Sequence, residues 1–385
     1  LAVRNSYICG KKLAGGITGQ MGYSKNALIE NCSFDGIVTG ADVGGICGEM
    51  SGTVKNCQNY GTVRAKGSAG GIACDIYNYE EGIQRCDNYG PVSGYGKTGG
   101  IVGDTDTTSA VRCRNYARVT SETGPVGGIF GYGSAWNCVN YGEISGTRYT
   151  GGIAGSIRYV TGCINFGSVS GTEYVGGIGG GAPEWYASVE TSANFGAVTG
   201  ESNVGGISGT FKGNASYRAE SACCDSFNLG TVKGSSYVGG ISGNIVYSDI
   251  KNVYSAGIVT GTDSVGALIG KSDCMWGRST VKGSYYLSGD LAGVTGLSDG
   301  DGTFEAKSDA ELRVQGTYSG WDWNSKWALD EEKNGGYPYL QSAADMLEEV
   351  PILGITISRD SLSLPQGDVA FLSAAVTPAN AGNTA

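Results

Sequence analysis

The side chains that could do chemistry in this sequence are carboxylates, thiols and aromatic rings, because none of its 385 residues is histidine. Without histidine the chain cannot build a Ser-His-Asp or Cys-His nucleophile or a His-ligated zinc site. Carboxylate chemistry stays open, since a glycosidase needs two Asp or Glu about 5 to 9.5 Å apart and a lyase can use Arg or Lys as its base. No segment concentrates acidic residues in that way, so we predict that the protein is not an enzyme.

Half of the twelve cysteines occur at one position of a repeated word, and the sequence contains no Cys-x-x-Cys pair. These six are Cys32, Cys57, Cys86, Cys113, Cys138 and Cys163. Free cysteine packs as a small buried hydrophobe, so we predict a column of buried thiols in which Ala193 takes the place of the next cysteine. Disulfides between neighbouring positions are the alternative, although their geometry is demanding. We predict no zinc site and no other cofactor.

Opposite charges recur one repeat apart, and we expect them to pair between neighbouring repeats at about 0.2 to 1 kcal/mol each. The pairs are Asp87 with Arg114, Arg118 with Glu143, and Arg148 with Glu173. A catalytic groove of acids and bases is the alternative explanation. The net charge of −10, from 26 basic and 36 acidic residues, argues against nucleic acid or an anionic membrane as a partner.

Two words organise the sequence around these residues. A Gly-Gly-Ile word has its second glycine at Gly16, Gly45, Gly71, Gly100, Gly128, Gly152, Gly177, Gly206 and Gly240, and a degenerate tenth copy surrounds Gly266. A second word, Cys-x-Asn-Tyr-Gly, precedes most copies of the first. Glycine makes up 69 of the 385 residues, yet short runs of valine and isoleucine lie between the glycines, which is typical of short strands with sharp corners.

A unit of about 25 residues with three short strands fits one coil of a parallel β-helix. We therefore predict an all-β solenoid of about ten coils over residues 1–290. Glycines at the corners should take backbone angles that are costly for other residues. Val38, Val63, Val92, Val119, Ile144, Val169, Val198, Val232 and Val259 should form an inward apolar column.

Two further columns follow from the second word. The asparagines should hydrogen-bond the amides above and below them and cap the turn; they are Asn59, Asn88, Asn115, Asn140, Asn165, Asn194 and Asn228. The residue after each asparagine should form an aromatic stack, made of Tyr60, Tyr89, Tyr116, Tyr141, Phe166 and Phe195. Packing is the favoured role for these rings, and a platform for a glycan is the alternative.

The words "VGGISGNI" and "VGGICGEM" resemble the GLUG repeat of bacterial surface proteins, over about residues 8–340. Such repeats also occur beside the catalytic domains of IgA-cleaving metallopeptidases, but the zinc-binding histidines of those enzymes have no counterpart here. The segment "YSGWDWNSKWALDEEKNGGYPYL" resembles the end of such arrays. We expect residues 291–341 to form a cap whose aromatic side chains cover the open end of the solenoid, namely Trp321, Trp323, Trp327, Tyr337 and Tyr339.

After a linker at 342–351, residues 352–385 resemble the first strands of a bacterial Ig-like domain. Only about a third of such a sandwich is present, since a whole one has roughly 100 residues. We therefore expect the chain to be part of a longer protein.

The resemblance implies a non-enzymatic adhesin or scaffold of a Gram-positive-type bacterium, secreted or on the cell surface and associated with the wall, with no direct insertion into a membrane. Its partners would be a host or microbial glycan or a surface protein. The alternatives are a carbohydrate-binding or carbohydrate-cleaving β-helix and a passive structural spacer.

Binding should involve aromatic residues that the stacking does not require. Trp136, Tyr159, Trp185 and Tyr186 lie in the variable segments between the two words. A second group, Tyr149, Tyr174 and Tyr237, precedes Gly-Gly words and shares its position with Asp42 and Asn203. Because this position accepts both polar and aromatic residues, we predict that it is exposed. The alternative for all these rings is that they cover the core.

Overall fold

The chain folds into a parallel β-solenoid of about ten turns, with 58% strand and 4% helix, as the sequence predicted. The computed structural model describes residues 1–22, 26–77, 82–181, 187–213, 222–273, 279–289, 291, 293, 302–343, 354–357 and 374–377. A ten-stranded sheet takes one strand from each coil, in chain order. With about 4.8 Å between rungs, ten coils make a rod of roughly 50 Å.

The strands of successive coils lie on one another in four stacks. The long stack contains Thr18–Met21, Ala27–Glu30, Cys47–Met50, Gly52–Lys55, Ala73–Ile76, Ile83–Gln84, Val102–Val111, Phe130–Trp136, Ala154–Thr161, Gly179–Gly181, Ser188–Glu190, Ser208–Lys212, Ser242–Val246 and Ile269–Asp273. The Asn stack contains Gln58–Asn59, Asp87–Asn88, Arg114–Asn115, Val139–Asn140, Ile164–Asn165 and Ala193–Asn194. Four strands continue these two stacks at the C-terminal end, Cys223–Asn228, Asp249–Ser255, Thr280–Leu287 and Gly302–Lys307.

The other two stacks complete each coil. The Val stack contains Thr62–Ala65, Val92–Gly94, Val119–Ser121, Ile144–Ser145, Val169–Ser170, Val198–Thr199, Val232–Lys233 and Val259–Thr260, and it begins with the longer strands Ala2–Cys9 and Ser33–Gly40. The Gly stack contains Leu13–Gly15, Asp42–Gly44, Ala69–Gly70, Thr98–Gly99, Val126–Gly127, Arg148–Gly151, Glu173–Gly176, Ser202–Gly205, Ser236–Gly239 and Asp263–Gly266.

The asparagine column is confirmed, and it runs through the buried interior of the rod. Each of its seven members is 0% exposed. Asn140 shows the pattern, since its Nδ2 donates to Oδ1 of Asn165 at 2.8 Å and to the carbonyl of Gly142 at 2.8 Å, while its Oδ1 accepts from Asn115. The column ends at Asn228, whose Nδ2 lies 3.4 Å from Oγ of Ser255. Because every amide in the column has hydrogen-bond partners, the column closes the turn without leaving a buried polar group unpaired.

The glycines of the Gly-Gly-Ile word are needed because a Cβ has no space there, whereas left-handed angles occur at other corner glycines, such as Gly162 and Gly283. None of these second glycines has a positive φ. A Cβ at Gly128 would lie 2.3 Å from Cγ of Asn140 and 2.2 Å from the carbonyl oxygen of Gly152. The same close approach to the asparagine column recurs from Gly45 to Gly206. The two words of the repeat therefore depend on each other, because the glycine leaves room for the asparagine.

The thiol column is confirmed, and the eleven described cysteines are all free. The backbone N–H of Cys138 donates to Sγ of Cys163 at 3.4 Å, and that of Cys163 donates to Oγ of Ser192 at 3.1 Å. The assignment of Ala193 to this column is therefore wrong, since Ala193 pairs with Ile164. The position needs a small side chain with an acceptor atom, which serine has and alanine lacks. Burial raises the pKa of Cys163 well above its usual value.

The remaining columns follow the sequence prediction. The valine column is buried from Val38 to Val232, and Val259 is half-buried near the C-terminal end. All three predicted charge pairs form between neighbouring coils. Their nitrogen–oxygen distances are 2.9 Å for Arg114–Asp87, 4.0 Å for Arg118–Glu143 and 3.1 Å for Arg148–Glu173.

Residues 308–343 form a compact aromatic unit, which we call the flank element. It contains the helix Asp309–Leu312, the 3-10 turns Gln315–Thr317, Asn334–Gly336 and Gln341–Ala343, and the antiparallel strands Trp327–Ala328 and Tyr339–Leu340. The helix begins with a capping box, in which Ser308 and Glu311 each bond the other's backbone N–H.

The flank element packs on the side of the last coils, whereas the sequence placed these aromatic residues over the open end. The hydroxyl of Tyr254 donates to the carbonyl of Pro338 at 2.6 Å, and Nε1 of Trp321 donates to the carbonyl of Gly283 at 2.8 Å. The reason lies in the coils themselves. Their outward positions carry Phe227 and Tyr254, and these rings form one apolar cluster with the flank element that is separate from the interior core.

Farther along the chain, Gly354–Ile357 pairs antiparallel with Ala374–Thr377. A strand pair agrees with the alternating pattern of this segment. The resemblance of residues 352–385 to an Ig-like domain stays a prediction.

Candidate functional site

Trp136 and Tyr159 are exposed aromatic residues on neighbouring coils, as the sequence predicted. The exposed fraction is 51% for Trp136 and 45% for Tyr159. Trp136 ends its strand and pairs with Val111 on one side and Thr161 on the other. Tyr159 lies one rung farther and two residues before Thr161, with the guanidinium of Arg158 at 5.9 Å from its ring centre. The long stack therefore presents two flat apolar surfaces to solvent at this point.

The second predicted group is half-buried, so the expectation of an exposed position is wrong. Tyr149 and Tyr174 take left-handed backbone angles, with φ of 55° and 56°. Their rings stack on each other at 4.8 Å, and the guanidinium of Arg148 lies 5.2 Å and 5.3 Å from the two ring centres. Tyr237 lies under the ammonium of Lys271 at 4.9 Å. The rings lie along the rod and contact their neighbours, which leaves little free ring surface.

Asn203, which shares this position, is buried, with 7% of its surface exposed. A mixture of polar and aromatic residues at one position was therefore a poor indicator of exposure. Trp185 and Tyr186, the other two predicted contact residues, lie outside the described residues.

The aromatic stack of the second word is confirmed, and its geometry limits what it can bind. From Tyr60 to Phe195 the ring centres of neighbouring coils are 4.8 to 5.2 Å apart, with interplanar angles of 1° to 18°. Each inner ring therefore has both faces covered by the rings next to it. A sugar needs a free face to stack on, so only the outer face of Tyr60, next to the exposed Asp35, has the geometry of a platform. Packing is the role that this spacing favours.

A column of left-handed residues lies between the long stack and the Asn stack, and the sequence did not reveal it. We call it the corner column; each member has φ between 45° and 67°. Its members are Asn31, Asn56, Arg85, Arg112, Asn137, Gly162, Thr191, Asp225, Asn252 and Gly283. The sequence does contain an indication of the corner column, because each of its residues immediately precedes a position of the cysteine column. It was hidden because unusual backbone angles were expected of glycines, and most members of the column are not glycine.

Three carboxylates form a second feature that the sequence prediction missed. Asp75 pairs with Glu49 on one side and Asp104 on the other, so the three acids occupy successive rungs. We call them the acid column. They stand at a constant distance from the Gly-Gly-Ile word, four residues after its second glycine, and this offset was a readable signal. The residues are scattered along the chain, which is why no segment looked acidic.

The acid column shifts the ionisation of its central member. Burial, and to a lesser degree the nearby carboxylates of Asp104 and Glu49, raise the pKa of Asp75 to about 6, although a hydrogen bond from the Tyr77 hydroxyl at 2.7 Å opposes the shift. Asp104 forms an ion pair with Lys97 at 2.6 Å. The arrangement therefore holds one carboxyl that can change its charge near neutral pH.

Metal chemistry has no support in the described part of the chain, where no group of three His, Cys, Asp or Glu is arranged to hold an ion. A depression of about 360 Å³ lies between the last coils and the flank element, lined in part by Asp225, Lys251 and Lys326. Asp225 accepts bonds there from Lys326, Asn252 and Trp327. The carboxylate of Asp225 therefore holds the flank element against the coils and is not free to bind a ligand.

Within the described residues, no helix has the length and apolar character needed to cross a membrane. No protein-family model, no curated protein and no solved structure matches this chain.

Proposed function

We propose that this chain is the repeat region of a non-enzymatic adhesin or scaffold, secreted or displayed on the surface of a Gram-positive-type bacterium and associated with its wall. The solenoid acts as a stiff rod, and exposed side chains on its surface contact a glycan or a surface protein. The resemblance of the repeat to GLUG proteins supports the location, and the net charge of −10 disfavours nucleic acid as the partner.

The observation that carries the proposal is the exposure of Trp136 at a register position where the stacking of the coils does not require an aromatic side chain. Its neighbours at the same register are Gln84 and Val111 before it and Thr161 after it. Stacking therefore tolerates small or polar residues here, whereas the indole leaves about half of its surface in water. Exposed tryptophan and tyrosine are favoured contact residues, because a large rigid ring is ordered at low entropic cost.

The test is to replace Trp136 and Tyr159 with serine, singly and together, and to measure attachment on a glycan array and on immobilised surface proteins. We expect attachment to weaken while the free energy of unfolding changes by less than about 1 kcal/mol, since exposed substitutions usually have small effects. The matched control is Phe166→Ser in the aromatic stack, where only 6% of the ring is exposed. That change should lower stability and leave attachment per folded molecule unchanged.

If the Trp136 and Tyr159 variants unfold the rod and the folded fraction attaches like the parent, these rings cover the core. The chain would then act as a passive spacer.

Carbohydrate cleavage is the second candidate function, and the acid column favours it. Glu49 and Asp75 are register partners on neighbouring rungs, whose backbones are about 4.8 Å apart in a parallel stack. Retaining glycosidases also use two closely spaced carboxyls, roughly 5 Å apart. A carboxyl with a pKa of about 6, as for Asp75, can donate a proton near neutral pH. We expect no turnover of neutral or acidic polysaccharides. Turnover that is abolished by Asp75→Asn or by Glu49→Gln would replace the adhesin proposal with an enzymatic one.

A further inference from the structure

Besides the β-branched Thr191, the corner column contains two arginines that its backbone does not favour. Left-handed angles are tolerated best by glycine and asparagine, and these occupy six of its ten positions. Arg85 and Arg112 occupy neighbouring positions with φ of 49° and 54°. A long side chain without a local hydrogen bond gains nothing from this conformation, so local structure gives no reason for arginine at either place.

Electrostatics gives no reason either. Arg85 and Arg112 lie on successive rungs, where like charges repel each other. Both side chains are exposed, and among the described residues neither forms an ion pair with a carboxylate. The nearby carboxylate of Asp87 is held by two bonds from Arg114, at 2.9 and 3.0 Å. Two guanidinium groups are thus exposed to solvent at positions where asparagine would fit the left-handed backbone better. A conformational outlier of this kind is a reason to look for a function.

The exposed rings of the candidate site adjoin these arginines. The backbone N–H of Arg112 donates to the carbonyl of Trp136 at 3.0 Å, and the N–H of Arg85 donates to the carbonyl of Val111, the register partner of Trp136, at 3.0 Å. Tyr159 lies one rung beyond Trp136. We call Arg85, Arg112, Trp136 and Tyr159 the corner patch. It combines two flat rings with a pair of guanidinium groups one rung apart.

We propose that the corner patch binds an anionic polysaccharide, a chain of sugars that carry carboxylate or sulfate groups. This inference rests on the proposed adhesive function and specifies its ligand. Guanidinium groups bind carboxylate and sulfate oxygens through paired N–H donors, and an indole or phenol ring stacks on the apolar face of a sugar. A repeating anion fits because the two arginines offer the same contact at a regular spacing. Nucleic acid fits less well, since binding to it requires many phosphate contacts, whereas the corner patch offers two guanidinium groups.

The test measures binding of the whole chain to polygalacturonate, to chondroitin sulfate, to neutral mannan, to poly-glutamate and to duplex DNA at low salt. We expect the parent to bind one or both of the acidic polysaccharides more tightly than the other three probes. Binding by polygalacturonate alone would identify carboxylate as the recognised group, and preference for chondroitin sulfate would identify sulfate. Each arginine removed should lower affinity by about tenfold, and the binding should weaken as salt is added.

The decisive variants are Arg112→Asn and the double change Arg85→Asn with Arg112→Asn. Asparagine stands in the same column at Asn31, Asn56 and Asn137, so these variants should keep the fold. Arg118→Asn is the matched control, because it removes an exposed positive charge from another column. Glu80 and Glu81 precede Arg85 in the sequence, and changing both to glutamine tests whether their charge competes with the ligand.

The outcomes separate this inference from the proposal on which it rests. If the double variant binds acidic polysaccharide like the parent, or if the parent prefers mannan, poly-glutamate or DNA, or binds none of the probes, the corner patch is not an anionic-glycan site. Binding of mannan that is lost with Trp136→Ser would still support an adhesin that uses the rings alone. Attachment that depends on neither the rings nor the arginines would contradict both.

Discussion

The asparagine column and the corner column run along the same rod, three residues apart in each coil, and they follow different rules. The first keeps one residue type from Asn59 to Asn228, because each amide completes a hydrogen bond to the next. The second keeps one backbone conformation while its side chains vary from glycine to arginine. Uniformity therefore marks the positions where the stack uses the side chain. Variation marks the positions where the stack uses only the backbone, and there the side chain is free to serve a ligand.

The acid column adds a second case of side chains that oppose stacking. Glu49, Asp75 and Asp104 place like charges on successive rungs, which costs stability. The charge pairs such as Arg148 and Glu173 show that the same rod can place opposite charges one rung apart. The acid column and the two arginines of the corner column are thus two places where side chains on successive rungs lower the stability of the stack.

The largest effect is expected where the two words of the repeat meet. In Gly128→Ala the new Cβ would lie 2.3 Å from Cγ of Asn140 and 2.2 Å from the carbonyl oxygen of Gly152. Neither Asn140 nor the carbonyl of Gly152 can move without disrupting the stacked residues of neighbouring coils. The free energy of unfolding should therefore fall by at least about 3 kcal/mol. Chemical denaturation measures the change. Gly316→Ala is the control, since nothing lies within 4 Å of the added carbon. Equal stabilities for the two variants would show that glycine is not required at position 128 to leave space for Asn140.

The next effect comes from interrupting the asparagine column. Asn140→Ala removes the partner of one N–H of Asn115 Nδ2, whose other N–H keeps its bond to the carbonyl of Ala117. It also removes the donor to Oδ1 of Asn165 and to the carbonyl of Gly142. Each buried polar group left unpaired costs about 1 to 3 kcal/mol, and relaxation of the neighbouring residues recovers part of that cost. We therefore expect the free energy of unfolding to fall by about 3 kcal/mol.

The corner column supplies the matched variant, Asn137→Gly, which keeps the left-handed conformation at an exposed position. It should change the free energy of unfolding by less than about 0.5 kcal/mol. A comparable loss in both variants would remove the distinction between the two columns.

The fold could be predicted from the sequence because the interior columns repeat. The valine, asparagine and cysteine positions recur in phase, and a period of this kind has few structural solutions. One position was assigned to the wrong register. Ala193 was assigned to the thiol column because it is small, although counting back from Asn194 places Ser192 there. Hydrogen-bonding capacity, rather than size, decided that position.

The candidate site was predicted less well, because its exposed side chains do not repeat and because its repeated left-handed conformation is not tied to one residue type. Trp136 and Tyr159 were found since they lie in variable segments. Tyr149 and Tyr174 were misjudged, because a left-handed backbone turns their rings onto each other, and no residue preference indicated this conformation. The position of the flank element was equally hidden, since it depends on outward rings of distant coils, such as Tyr254.

A smaller effect, with a pH dependence, is expected in the acid column. Burial raises the pKa of Asp75 from 3.8 to about 6, so the folded state binds the proton more tightly than the unfolded state does. Stability should therefore fall as the pH rises from about 4 to about 6 and stay lower above that range. Asp75→Asn removes the charge, so it should stabilise the protein by about 1 kcal/mol at pH 7.5, after allowance for partial exposure, and give no gain at pH 4.

Denaturation curves at several pH values measure this difference. Asp35→Asn, at an exposed position, controls for the loss of one negative charge. A gain for Asp75→Asn that is the same at pH 4 and pH 7.5 would show that the carboxylate is not the destabilising group.

The smallest effect concerns the corner column itself and has an unusual sign. Arg85→Asn and Arg112→Asn exchange a residue that disfavours left-handed angles for one that tolerates them, and either one removes a repulsion between successive rungs. We expect each change to raise the free energy of unfolding by about 0.5 kcal/mol, and the double variant to gain less than the sum, since either change alone already removes the repulsion between the two charges. Arg118→Asn should instead lose a few tenths of a kcal/mol of stability, because it breaks a weak surface ion pair with Glu143.

A gain in stability combined with a loss of binding would mean that the two arginines lower the stability of the fold and are present for binding. A loss of stability in the double variant would mean that the arginines serve the stack, and the corner column would then follow the same rule as the asparagine column.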